Sequence, residues 1–305
     1  MKQMNRRDFV KASAAATAAI WSWSALGAAN AILGEDEIPD LVAVKDGEPE
    51  AMVDLALAAV GGMASFVKEG QTVVVKPNIG WDRPPEAGAN TNPLVVKRIV
   101  EHCVKAGAKT VYVFDHTCNN HQRCYANSGI EDAAKAAGAT IVPAHAKTYY
   151  KDISIAKAEV LKSVKVHEKI LESDVFINVP VLKHHGSSHL SVAMKNLMGI
   201  VWDRGFYHGN GLHQCIADFC LFRKPDLNIV DAYRVTMRNG PQRAREEDLE
   251  LKKCLLLAKD IVAVDAAAAK VFGIDPLKVK YIDLAAKSGI GTHDLSSLKI
   301  KRITA

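Results

Sequence analysis

The densest chemistry in this sequence runs from Val181 to Gly199, where an apolar run leads into Lys183, His184 and His185, then serines, then Lys195 and Asn196. The spacing predicts a strand ending in a loop and a helix starting near Ser188 to Ser191, with Lys195 in its first turns. A helix N-terminus offers unpaired N–H groups and a partial positive charge, so lysines converging on it suit a phosphate or a carboxylate. On this reading Lys183 and Lys195 contact the anion and His184 is an acid or base. The plainer alternative has Ser188 capping the helix and both lysines in solvent.

A second cluster holds soft and borderline ligands: His116, Cys118, His121 and Cys124 fall within nine residues, and His184, His185, His189, His208 and His213 add imidazoles. Such donors suit zinc, copper or iron, and a metal ion is the cofactor expected from the residues. The spacing matches no standard finger, and Cys118 and Cys124 could equally form a loop disulfide outside the cytoplasm. Cys103 falls on the apolar face of a helix and reads as core, while Cys215 and Cys220, five apart in a helical stretch, point away from each other. No GxSxG occurs, and Gly209-Asn-Gly211 and Gly289-Ile-Gly291 lack the surroundings of a nucleotide loop.

These residues need elements to hold them. Four β-branched runs read as buried strands: Thr72–Lys76, Thr110–Asp115, Asp174–Val179 and Leu227–Asp231. Each is followed or closed by polar residues: Lys76 and Asn78, Asp115 and His116, Lys183 and His184 beyond the third, and Asp231. Ligands of open α/β sheets sit beyond the carboxyl ends of the strands, so these loops are expected to share one crevice. Lys76, Asn78 and Asn196 are further candidate ligand contacts there, with Asp115 and Asp231 orienting catalytic groups. Asn92-Pro93 opens a helix whose apolar stripe is Leu94, Val95, Ile99, Cys103 and Val104, and Gly107 stops it. A second helix spans Ile130 to Ala137 before the strand Thr140-Ile-Val.

Alternation of helix and strand predicts an α/β fold with a mostly parallel sheet flanked by helices. The sequence shows no internal repeat, and residues 32–305 read as a single α/β domain with a possible inserted subdomain between about Lys147 and Arg223. The long loop from Pro77 to Asn92 and the irregular stretch from Gly199 to Asn210 are expected to be functional.

The motifs Val75-Lys-Pro-Asn78, Thr91-Asn-Pro93, Ala106-Gly-Ala108, Ser173-Asp-Val-Phe-Ile-Asn-Val-Pro180, Leu182-Lys-His184, Met194-Lys-Asn-Leu-Met-Gly199, Leu227-Asn-Ile-Val-Asp231 and Val262-Ala-Val-Asp265 occur in this order. In them the chain resembles the family called domain of unknown function 362. The resemblance implies an iron–sulfur link, since many members carry an appended ferredoxin-like module; here six cysteines are scattered without a CxxC. It also implies a distant similarity to nickel-dependent lactate racemases, hence a crevice for a small carboxylate with lysine and histidine chemistry. Two functions follow as expectations: a cofactor- or metal-dependent enzyme or binder of a small anion, or a metal-binding, iron–sulfur-linked redox accessory protein.

The N-terminus sets the compartment. Arg6 and Arg7 precede an alanine-rich, weakly hydrophobic stretch ending Ala29-Asn30-Ala31, the pattern of a twin-arginine signal peptide over residues 1–31, cleaved after Ala31. The chain is thus expected to meet the twin-arginine export machinery and to be periplasmic or otherwise exported. No later apolar run reaches the roughly 18 residues that span a bilayer. The 305 residues are 49% hydrophobic and 24% charged, a globular composition that rules out disorder and coiled coil. Formal charge is +5, and the signal segment holds most of it, so no basic surface for nucleic acid is indicated.

Overall fold

The computed structural model describes residues 37–305; the signal segment lies outside them. Twelve strands are described: β1 (Leu41–Lys45), β2 (Thr72–Pro77), β3 (Thr110–Val113), β4 (Thr140–Ile141), β5 (Tyr150–Ser154), β6 (Ser163–His167), β7 (Val175–Val179), β8 (Val181–His185), β9 (His189–Ser191), β10 (Leu227–Thr236), β11 (Leu249–Ala258) and β12 (Ile300–Thr304). The helices are α1 (Pro49–Ala58), α2 (Pro93–Lys105), α3 (His121–Asn127), α4 (Ile130–Ala136), α5 (Glu168–Glu172), α6 (Ala193–Asn196), α7 (Arg204–Gly209), α8 (Leu212–Phe219), α9 (Ile261–Phe272) and α10 (Lys280–Lys287).

The main sheet runs β12-β1-β11-β10-β7-β2-β3-β4, with β8 joining beside β10 and β9 beside β8. Its pairs are mostly parallel; β11 runs against both β1 and β10, and β8 against β9. Parallel strands buried on both faces need apolar residues on both. In β2, Val73 and Val75 pack under α1, α2 and α4, while Val74 faces the layer of α8, α9 and α10. Lys76 shares the face of Val74, and Asn178 of β7 and Asn228 of β10 are buried beside it.

Asn92 caps α2 by accepting from the Leu94 N–H, with Pro93 at the first helical position. The buried stripe is Val95, Val96, Ile99, Val100 and Cys103, whereas the expected Leu94 and Val104 are 41% and 46% exposed. Val104 stands half a turn around the helix from Val95, so both cannot face the sheet.

Two sequence expectations change. The inserted subdomain narrows to the hairpin β5–β6, because β7, β8 and β9 all belong to the main sheet and residues such as Val164 and Val166 share its core. Where a helix is expected to start, near Ser188 to Ser191, the chain instead forms the hairpin β8–β9, with Lys183 opposite Ser191 and His184 opposite Leu190. His189 turns that hairpin at a left-handed φ of 63°, which a right-handed helix does not accommodate. Helix α6 starts only at Ala193. Its first N–H groups, on Ala193 and Met194, donate to the carboxyl oxygens of Asp265 in α9 at 2.7 and 3.1 Å, so a side chain of the protein itself occupies that terminus.

Candidate active site

A cavity of about 420 Å³ opens beyond the carboxyl ends of β2, β3 and β8. It is lined from six segments, including Asn78, Gly80 and Trp81 after β2, Asp115, His116 and Cys118 after β3, and Lys183 and His185 of β8. Lys195 and Asn196 of α6, and Arg204 and His208 of α7, close it.

Its floor is a buried polar network. Lys76 Nζ donates to Asn196 Oδ1 at 2.9 Å and to the Pro77 carbonyl at 2.7 Å, and forms an ion pair with Asp115 Oδ1 at 2.8 Å. Asp115 Oδ2 accepts from the Ile79 N–H at 2.6 Å. Asn196 also accepts from Asn78 Nδ2 at 3.1 Å and donates to Asn178 Oδ1 at 2.8 Å. Asn78 Oδ1 in turn accepts from Lys183 Nζ at 2.6 Å. Burial lowers the pKa of Lys76, a pull the Asp115 carboxylate opposes.

The walls are cationic. Lys183 donates to Asn78 and to the Ala89 carbonyl, and burial pushes its pKa down to about 7. Lys195 makes no hydrogen bond or ion pair among the described residues, and burial chiefly, with Arg204 and Lys76 nearby, brings its pKa down to about 8. Arg204 is held by the carbonyls of His116 and Thr117 at 2.8 and 2.6 Å, and also reaches Cys118 Sγ at 3.1 Å. His185 Nδ1 accepts from the N–H groups of Ser187 and Ser188, which leaves the ring proton on Nε2. Burial and the neighbouring lysines push its pKa down to about 3, so His185 is a neutral donor.

The sequence-derived candidates divide accordingly. Lys183, Lys195, Asn78, Asn196, Asp115, His116 and Cys118 line the cavity. Lys76 lies beneath it, paired with Asp115. His184 is turned away, because successive strand residues face opposite sides and Lys183 and His185 take the cavity side; its Nδ1 is buried without a partner. Asp231 lies at a separate surface pocket, where it accepts from the N–H groups of Asn92 and Tyr233 and fixes the start of α2. Burial raises its pKa to about 6.

The metal quartet is not brought together. His116 stacks on Trp202 with ring centroids 5.0 Å apart, and His121 stacks on His145 at 4.0 Å in another pocket. Cys118 is exposed, Cys124 is buried, and both are free thiols. No three His, Cys, Asp or Glu side chains among the described residues gather as a metal site. A cluster held by cysteines does not fit either: Cys103, Cys215, Cys220 and Cys254 are buried in the core, and Cys118 alone among the six lines the cavity.

Sequence reasoning did not single out Arg204 and Trp81 as site residues. Both lie in the long loop and the irregular stretch already marked as unusual, and that irregularity was their signal.

The geometry defines an α/β protein with a cationic crevice at its strand ends, and the chain belongs to the family Domain of unknown function (DUF362), whose model matches residues 73–270. Residues 3–20 match the twin-arginine translocation signal, so the chain is exported by that route. The chain is similar to the thylakoid-associated protein sll1697 of Synechocystis sp. (strain ATCC 27184 / PCC 6803 / Kazusa), 25% identical over 78% of this chain and 73% of that protein. Among solved structures it is similar to the lactate racemase apoprotein of Thermoanaerobacterium thermosaccharolyticum, at 12% identity and a TM-score of 0.44 over 73% of this chain. It is also similar to a Thermotoga maritima protein, at 12% identity and a TM-score of 0.46 over 79% of this chain. The chain spans 55% and 60% of the length of those two proteins. No described helix is long and apolar enough to cross a membrane.

Proposed function

We propose that the exported protein works in the periplasm as a binder of a small carboxylate or phosphate, held in the cavity by Lys183, Lys195 and Arg204. The observation that carries this is a charge imbalance. Three cations line one cavity, and its one carboxylate, Asp115, is already paired with Lys76. Like charges gathered in a low-dielectric crevice repel one another, and an anion relieves that repulsion while accepting charge-assisted hydrogen bonds. His185 adds a neutral N–H donor that orients the anion.

Calorimetric titration with propionate and with inorganic phosphate tests this reading. The wild-type chain is expected to bind at least one of them. Lys195→Met, which keeps the stem and removes the charge, should lose about 1.5–3 kcal/mol, roughly tenfold to more than a hundredfold in affinity. Equal affinity in the variant, or no binding by the wild type, would remove the proposal.

A further inference from the structure

We infer that Lys195 is an imine-forming amine, and that the ligand of the cavity is a small carboxylate bearing a carbonyl group, such as a 2-oxo acid. This rests on the anion-binding reading and goes further by assigning different work to the two wall lysines. Lys183 is tied down: its Nζ donates to Asn78 Oδ1 at 2.6 Å and to the Ala89 carbonyl, so it is held in place as a hydrogen-bonding contact. Lys195 is not: its Nζ has no hydrogen-bond or ion-pair partner among the described residues while it lines the same cavity. A half-buried lysine amine beside other cations is a setting in which lysine becomes a nucleophile toward carbonyl carbon. Its pKa, lowered chiefly by burial to about 8, leaves about a tenth of the amine neutral at pH 7.

The rest of the cavity fits such a ligand. Lys183 and Arg204 offer N–H groups to the carboxylate. Val181, Val192 and Met198 give apolar wall for a short carbon chain. The step balances without any oxidant. The neutral Lys195 nitrogen forms a bond to the carbonyl carbon, a proton moves from nitrogen to the carbonyl oxygen to give a carbinolamine, and loss of water leaves the imine. Protonated on nitrogen by solvent, the imine withdraws electrons from the neighbouring carbon, C3 of a 2-oxo acid, which favours removal of a proton from that carbon.

Borohydride trapping tests this on the purified mature protein. Incubation with pyruvate followed by sodium borohydride should leave one carboxyethyl group per chain, located on Lys195 by peptide mass spectrometry. Lys195→Arg should lower the trapped fraction by at least about tenfold. The wild-type peptide map stands on its own even if that variant folds poorly. Propionate, which has the carboxylate and no carbonyl, should compete with trapping and leave no adduct. A calorimetric signal with propionate but no pyruvate adduct overturns the imine and leaves the anion site standing. Absence of both, with no phosphate signal either, overturns both readings, phosphate binding alone overturns the imine only, and an adduct on Lys183 or on surface lysines overturns the assignment to Lys195.

Discussion

Lys76 and Asp115 form a buried ion pair, Nζ to Oδ1 at 2.8 Å, with side chains 0% and 2% exposed. The pair joins the end of β2 to the segment after β3, and through Asn196 it fixes α6, the element that carries Lys195. Gly199 packs directly on it: a Cβ there would overlap Asp115 Oδ1 and Lys76 Nζ.

Breaking this pair from one side should be costly, because the remaining charge stays buried without compensation. Lys76→Met is expected to destabilise the fold by about 3–5 kcal/mol. Gly199→Ala should also destabilise, by forcing the ammonium or the carboxylate out of place. Urea unfolding of both variants checks this, and a loss below about 1 kcal/mol in both would show that the pair does not hold the cavity floor.

Anion affinity should depend on pH through the wall lysines. The ligand-free pKa values are about 7 for Lys183 and about 8 for Lys195, against 10.5 for an ordinary lysine. Their cationic forms hold the anion, so propionate affinity should be greatest below about pH 7 and fall as pH rises through 7 to 8. Stability has the opposite sense: folded-state values below the unfolded value mean that stability present above about pH 10.5 is lost as pH falls toward 7. Saturating propionate should flatten that loss. Calorimetry and thermal unfolding from pH 6 to about 10 measure both trends.

The cysteines next to the crevice should differ in reactivity. Cys118 is exposed at the cavity, whereas Cys124 is buried and burial pushes its pKa up to about 11. Iodoacetamide on native protein should alkylate Cys118 and spare Cys124, and bound propionate should slow the reaction. Equal modification of both, or a mass two hydrogens short under non-reducing conditions, would contradict this geometry.

Export should depend on the paired arginines. Replacing Arg6 and Arg7 together by lysine is expected to leave folded precursor in the cytoplasm, because the twin pair is what the export receptor reads. Cell fractionation with an antibody to the mature chain measures the shift.

Much of this protein was legible in the chain. The signal, the strands from Thr72, Thr110, Asp174 and Leu227, the Asn92-Pro93 helix start and the cationic character of Lys183 and Lys195 are set by local composition, period and caps, which need no distant partner. The crevice at the strand ends followed from the alternation of helix and strand. What the chain alone left undetermined depends on contacts between residues far apart in sequence. Ser188 to Ser191 has the composition of a helix start, yet His189–Ser191 pairs as β9 because β8 docks on β10, and Asp265, some seventy residues on, takes the N–H groups of α6. That docking also decides that His185, and not His184, faces the cavity. Likewise His116, Cys118, His121 and Cys124 are neighbours in sequence, but ring stacking and core packing send their side chains to different surroundings. Proximity along a chain fixes which groups are available; only the packed backbone fixes their directions, and ligation or acid–base chemistry requires direction.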